Sequence, residues 1–205
     1  MINLPQPVSI SPRVFVADGF VSDPEVAKVL ARYDASGVPN AAVHWDTGLA
    51  GRSAELPVAD DPLLGVLARR IEDVLGFGCE LPDPTFRYRR YAPGDYHPAH
   101  VDCYEIEGLH LVATAILYLT DARDGGETVF PEFAAPVVIA ARRGRLALWF
   151  NYTPDGRPDP CSRHRSERLQ AGEKATLAYF VYAPLSCSAR APRVAARRRP
   201  ELVCA

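Results

Sequence analysis

Lysine is nearly absent from this chain. Of 23 basic residues only Lys28 and Lys174 are lysines, so arginine carries almost all of the positive charge and each surviving lysine asks for a specific reason. Long apolar runs are missing too. No segment approaches the about 18 residues that a membrane helix needs. The opening Met1-Ile2-Asn3-Leu4-Pro5-Gln6-Pro7 has neither the basic start nor the apolar core of a secretory leader. These absences set the expectation of a cytoplasmic protein without a membrane partner. Five cysteines, Cys79, Cys103, Cys161, Cys187 and Cys204, are scattered with no CxxC spacing. That excludes a disulfide framework or a cysteine-based zinc site and leaves free thiols.

What is present is the composition of one globular domain. The 205 residues are 48% hydrophobic and 23% charged, enough to bury a sizeable core and too apolar for general disorder. The net charge of −2 hides a basic carboxyl end, where Arg190, Arg193, Arg197, Arg198 and Arg199 face only Glu201. No aromatic residue or folded motif accompanies those arginines, so they read as a solvated tail and no nucleic-acid partner is expected. The expected division is a domain over 1–184 and a basic, flexible tail over 185–205.

Local pattern separates the chain into two styles. Val14-Phe15-Val16 and Phe20-Val21 predict a short strand. Ser22-Asp23-Pro24-Glu25 then opens a helix with a capping residue and a first-turn proline, carried on by Val26, Val29, Leu30 and Tyr33. A second helix fits Asp61-Pro62 to Val74-Leu75, with Gly76 past its end. Residues 36–60 between them read as loop. From about residue 84 the pattern becomes short strands bounded by Gly, Pro and Asp, at 84–91, 109–120, 127–130, 136–141, 145–151, 166–170 and 174–183. Strands at this spacing without intervening helices predict an antiparallel double sheet of jelly-roll type, with the amino-terminal helices packed on one sheet as an α+β embellishment.

His-x-Asp is two thirds of a facial triad, in which two histidines and a carboxylate hold one face of iron(II) and leave the other face open. Chance supplies roughly 0.3 such pairs in a chain of this composition, and two occur, His44-Trp45-Asp46 and His100-Val101-Asp102. The first lies in predicted loop. The second lies in Tyr91-Ala92-Pro93-Gly94-Asp95-Tyr96-His97-Pro98-Ala99-His100-Val101-Asp102, at the mouth of the strand-rich half. Alternation along an extended segment turns His100 and Asp102 to one side and His97 to the other.

Further along come Ile116-Leu117-Tyr118-Leu119-Thr120, Gly125-Gly126-Glu127-Thr128-Val129-Phe130, Gly144-Arg145-Leu146-Ala147-Leu148-Trp149-Phe150-Asn151, and His164 with Gly172-Glu173-Lys174. In this order the motifs resemble the prolyl-4-hydroxylase-like branch of the iron(II)/2-oxoglutarate-dependent dioxygenases, over about residues 84–183. The resemblance implies a double-stranded β-helix. It implies that His100, Asp102 and His164 bind Fe(II) and that Lys174 and Tyr118 hold the far carboxylate of 2-oxoglutarate, with Tyr91 beside this cosubstrate. It also implies O2-dependent hydroxylation of an unactivated C–H bond with release of succinate and CO2, with ascorbate as reductant.

The chain departs from the family at Arg163, at Arg168-Leu169, and at Ala175-Thr176, where the family carries Trp after the lysine. These departures bear on the substrate. Without an added peptide-binding domain or repeat, the expected substrate is a free amino acid or specialised metabolite. A prolyl residue in a peptide or protein is the alternative, and a metal-binding jelly roll without turnover is a third reading that Lys174 argues against. Residues 103–110, directly after the metal motif, are expected to form a substrate-facing loop.

Overall fold

The computed structural model describes residues 3–34, 52–132 and 136–195. Strands β1 (Gln6–Ile10) and β2 (Arg13–Ala17) form a hairpin, helix α1 (Asp23–Asp34) follows, and β3 (Arg52–Pro57) precedes helix α2 (Pro62–Leu75). The strand-rich half comprises β4 (Thr85–Tyr91), β5 (His97–His100), β6 (Glu105–Ile106), β7 (Leu109–Tyr118), β8 (Ala122–Gly125), β9 (Thr128–Phe130) and β10 (Val137–Ile139). It continues with β11 (Leu146–Phe150), β12 (His164–Ser166), β13 (Leu169–Gly172) and β14 (Lys174–Ala183).

The large sheet runs β1-β2-β11-β7-β14-β4-β3, with β6 paired to β7, and a smaller sheet runs β10-β9-β12-β5; β13 and β8 form a separate ribbon. Every pairing is antiparallel. This is the expected jelly roll. Among the described residues no helix is long and apolar enough to cross a membrane.

The central strands are largely buried because one face of the large sheet packs on the helices while the other carries a second apolar cluster and the polar residues of a cavity. Phe86 and Tyr88 of β4, Leu117 of β7 and Leu177 and Tyr179 of β14 share one buried cluster with Leu64, Leu67, Ile71 and Leu75 of α2. Alternation turns their neighbours to the opposite face. There Tyr118 and Trp149 form a second cluster with Phe130 and Ile139 of the smaller sheet.

The α2 boundaries follow its capping chemistry. Asp61 accepts from the Leu63 N–H at 2.8 Å, Pro62 occupies the first turn, and Gly76 adopts φ 76°, a left-handed cap that costs little without a Cβ. In α1, Ser22 donates through both N–H and hydroxyl to Glu25, each at 2.8 Å, so the carboxylate caps the first turn from within the helix.

Three expectations need correction. The segment 36–60 is not all loop, since Arg52–Pro57 is the edge strand β3, in register with Thr85–Arg90. Its buried side chains are Ser53 and Leu56, three residues apart and one of them polar, so the strand carries no apolar alternation in sequence. The strand expected at 166–170 is instead two strands in different sheets, β12 and β13, separated by Glu167-Arg168. Phe20-Val21 is not strand; both residues are buried beneath the helices after a turn at Asp18-Gly19.

Gly125 ends β8, which pairs with β13 and not with the strand that follows it, and Gly126 carries the chain on toward β9; the two adopt φ 75° and 77°. A Cβ on Gly125 would lie 2.1 Å from the Arg168 carbonyl oxygen, so no side chain fits there. Gly125→Ala is expected to destabilise the protein by more than about 1 kcal/mol, read as a lowered denaturation midpoint. The ribbon also carries Gly126, whose carbonyl holds Lys174, so the same variant should bind 2-oxoglutarate more weakly.

Candidate active site

Antiparallel pairing of β12 with β5 sets His164 opposite His100, which joins two residues distant in sequence. Asp102 follows β5 by two residues. Ligand-capable atoms of His100, Asp102 and His164 all lie within 4.8 Å of one another; His100 Nε2 is 3.4 Å from Asp102 Oδ1 and His164 Nε2 is 3.8 Å from Asp102 Oδ2.

Tautomers follow from the backbone. His100 Nδ1 lies 2.9 Å from the Pro98 carbonyl and His164 Nδ1 lies 3.0 Å from the Ser162 carbonyl. A carbonyl only accepts, so each Nδ1 carries the proton and each Nε2 presents its lone pair inward. Burial lowers the His164 pKa to about 4, keeping the ring neutral as a ligand must be. Burial works against the charged form of Asp102, but His164, His100 and the Thr114 hydroxyl outweigh it and hold the carboxyl below the usual range. Two neutral imidazoles and a carboxylate converging on one point are a donor set that fits iron(II).

Two residues that the sequence did not single out orient the carboxylate. Asn151 Nδ2 donates to Thr114 Oγ1 at 3.0 Å and to the Leu111 carbonyl at 3.0 Å. The Thr114 hydroxyl, its lone pair so occupied, donates to Asp102 Oδ2 at 2.9 Å. Thr114→Val keeps the volume and removes the donor, so iron affinity should fall by about 10- to 100-fold with little loss of fold. Iron titration of the two proteins checks this.

His100, Asp102, His164 and Thr114 line a cavity of about 650 Å³, within the usual range for a ligand pocket. Lys174 lies deep in it, 2% exposed, and its Nζ donates to the Gly126 carbonyl and the Ser166 hydroxyl, each at 2.7 Å. An ammonium has three donors, so one N–H remains. No ion pair involves Lys174 among the described residues. Burial lowers its pKa to about 7, against the pull of Glu127. Nζ lies 4.7 Å from the Tyr91 ring centroid and 5.8 Å from that of Tyr118. The Tyr118 hydroxyl bonds Thr128 Oγ1 at 2.7 Å, and burial raises its pKa, so it remains a protonated donor. The structure therefore gathers Lys174, Tyr118 and Tyr91 into one cluster.

His97 does not point away as alternation predicted. A register shift between His164 and Ser166 breaks the strict two-residue period, and the His97 ring packs against His100 at a tilt of 45° with centroids 4.2 Å apart. It still stands outside the three-residue cluster. Tyr104, Glu105 and Ile106 line the cavity, but the segment 103–110 is not the expected loop: β6 turns at Glu107-Gly108 and pairs with Leu109-His110 of β7. His44-Trp45-Asp46 lies outside the described residues.

A jelly roll whose cavity joins a His-x-Asp…His cluster to a buried lysine has the architecture of a metal-dependent oxygenase. Residues 86–182 match the profile of the 2OG-Fe(II) oxygenase superfamily. The chain is 27% identical over 206 residues to probable prolyl 4-hydroxylase 4 of Arabidopsis thaliana, covering 85% of this chain and 69% of that relative. It is 26% identical over 179 residues to prolyl 4-hydroxylase subunit alpha-1 of Mus musculus, covering 80% of this chain and 33% of that subunit. Its fold is similar to the viral collagen prolyl hydroxylase of Paramecium Bursaria Chlorella virus-1, solved as a 2OG complex. There the TM-score is 0.69 at 19% identity, with 83% of this chain and 96% of that chain covered. For the Pseudomonas putida prolyl-4-hydroxylase the TM-score is 0.61 at 18% identity, covering 83% and 92%. The chain resembles the 2OG-Fe(II) oxygenase superfamily over residues 86–182 and is prolyl-4-hydroxylase-like. It is an enzyme using iron(II) and 2-oxoglutarate.

Proposed function

We propose that the protein hydroxylates a prolyl residue within a peptide or protein. The free amino acid or metabolite expected from the sequence finds no support among the relatives, whose names favour the prolyl alternative. A single observation carries the site assignment: the inward Nε2 atoms and Asp102 share one cavity with a buried lysine that keeps an unused donor. In this reading His100, Asp102 and His164 hold the metal, Lys174 and Tyr118 bind the far carboxylate of 2-oxoglutarate, and Tyr91 packs beside it. Iron(II) with 2-oxoglutarate supplies oxidation by dioxygen, one oxygen atom entering succinate as CO2 leaves and the other entering the C–H bond.

The protein's own part is placement. Thr114 and Asn151 fix Asp102, the Pro98 and Ser162 carbonyls fix the two imidazoles, and Trp149 and Phe130 flank His164 with ring centroids 4.6 Å and 5.6 Å away. That apolar wall keeps water from one side of the metal site. We read 1–184 as the oxygenase domain and 185–205 as its tail, with the correction that the expected flexibility does not hold over 185–195, where Leu185–Ala189 forms a short 3-10 helix with Ser188 buried. The proximal part of the tail is bonded back to the domain, Arg193 N–H to the Val74 carbonyl at 2.7 Å and Ala195 N–H to the Pro5 carbonyl at 3.0 Å.

Succinate release and product mass, measured with prolyl peptides, free L-proline and a panel of amino acids, test the reading. A peptide gain of 16 mass units, the mass of one oxygen atom, on proline with matching succinate is expected. Turnover of free amino acids with inert peptides would overturn it.

A further inference from the structure

Strand β4 turns Arg87, Arg89 and Tyr91 into the cavity, and its neighbours treat the two arginines differently. The register of β3 sets Glu55 beside Arg87 and Ser53 beside Arg89. Glu55 accepts from Arg87 at 2.8 Å, and the Arg87 guanidinium lies 5.1 Å from the Phe180 ring centroid. On the other side β14 sets Thr176 against Arg89. Arg89 is thus bracketed by two hydroxyl residues and no carboxylate.

Among the described residues it makes no ion pair, and its Nε is buried without a hydrogen-bond partner. A guanidinium is always charged and carries five donors, so leaving it unpaired against a cavity is costly unless an incoming group pairs with it. Arg89 lines the same cavity as Lys174, and beyond the effect of burial its charge adds to the lowering of the Lys174 pKa. Along the strand Arg89 lies two residues from Tyr91, about 7 Å toward the mouth. There Tyr104 and Ile106, each 42% exposed, also line the cavity.

We propose that Arg89 is a specificity residue that binds a carboxylate of the substrate beside the carbon to be hydroxylated. The inference rests on the peptidyl-prolyl reading and deepens it: the favoured substrate is an acidic prolyl peptide, or one ending in a free carboxylate at the target residue. A carboxylate matches the planar fork of a guanidinium in a two-bonded pair, and the hydroxyls of Ser53 and Thr176 leave that fork without a competing anion.

Binding of peptide pairs to the anaerobic Fe(II)·2-oxoglutarate protein, followed by calorimetry, tests it. The pairs are Ac-Ala-Glu-Pro-Ala-NH2 against its Gln counterpart, Ac-Ala-Pro-Glu-Ala-NH2 against its Gln counterpart, and Ac-Ala-Ala-Pro-OH against its amide. Matched pairs without proline serve beside them. In at least one pair the carboxylate should bind about 10- to 100-fold tighter. Arg89→Leu should erase that preference, Arg89→Lys should keep part of it, and the pair that responds names the side-chain or terminal source.

Equal binding within every pair, or a preference that survives Arg89→Leu, overturns the inference. So does a loss in Arg89→Leu confined to 2-oxoglutarate affinity, which would place Arg89 with the cosubstrate. Carboxylate preference seen only in pairs lacking proline would uphold the role of Arg89 and overturn the prolyl reading. Prolyl turnover without carboxylate preference would do the reverse.

Discussion

His164→Ala should leave the protein folded and unable to hold iron(II). His164 is 5% exposed, and its Nε2 converges with His100 Nε2 on the Asp102 carboxylate. Removing one of three protein ligands leaves two donors and opens a gap next to Trp149, whose ring lies 4.6 Å away. Loss of an outer partner of a ligand already costs about 10- to 100-fold in metal affinity, and loss of the ligand itself should exceed that. Iron content after anaerobic reconstitution and desalting should fall to background, and succinate release with it. His97→Ala is the informative contrast, because the His97 ring packs against His100 yet stands outside the cluster. It should retain the iron stoichiometry of the parent. Iron retained in His164→Ala and lost in His97→Ala would overturn the ligand assignment.

The second large effect is expected at Lys174. Removing one partner of a buried charge pair costs about 2–5 kcal/mol, on the order of 30-fold to several thousand-fold in affinity. Lys174→Ala should weaken 2-oxoglutarate binding by that factor and leave iron binding intact, since the lysine bonds Gly126 and Ser166 rather than a ligand side chain. Lys174→Arg should recover only part. The guanidinium is larger, and Gly126 leaves little room, because a Cβ there would already lie 3.3 Å from Lys174 Cδ.

Proton linkage gives an independent sign. With its pKa lowered by burial to about 7, Lys174 is charged below pH 7 and increasingly neutral above it in the empty pocket. A bound carboxylate favours the charged form, so 2-oxoglutarate binding above pH 7 should take up a proton and weaken as pH rises. Titration of the anaerobic iron(II) protein, followed by its charge-transfer band at several pH values, reads both effects. An unchanged midpoint in Lys174→Ala would remove the residue from the site.

How much of this was legible differs from residue to residue. Lys174 stood out because the chain has almost no lysine, and its burial gives that rarity a physical meaning. His100 and Asp102 were legible as a short-range chelating pair, because two residues on one side of an extended segment need no tertiary information. Thr114 and Asn151 were not. A threonine and an asparagine in apolar strands have no spacing signature, and only the pairing of β7 with β11 sets Thr114 opposite Trp149, next to Asn151. The side taken by His97 was misread because a break in register is a property of two strands together and leaves no mark in one.

The sequence by itself determined the helix α2 with its caps, the run of short strands, the metal motif and the rare lysine, since each rests on contacts between residues near in the chain or on composition. Tertiary structure alone decided that β3 closes the edge of the large sheet, that Thr114 and Asn151 hold Asp102, and that Arg89 faces the cavity without an acid while Arg87 and Arg90 each have one, Glu55 and Glu173. Those outcomes depend on strand register. Register is set by the summed packing of both sheet faces, and a slip of one residue would exchange every cavity side chain for a core one.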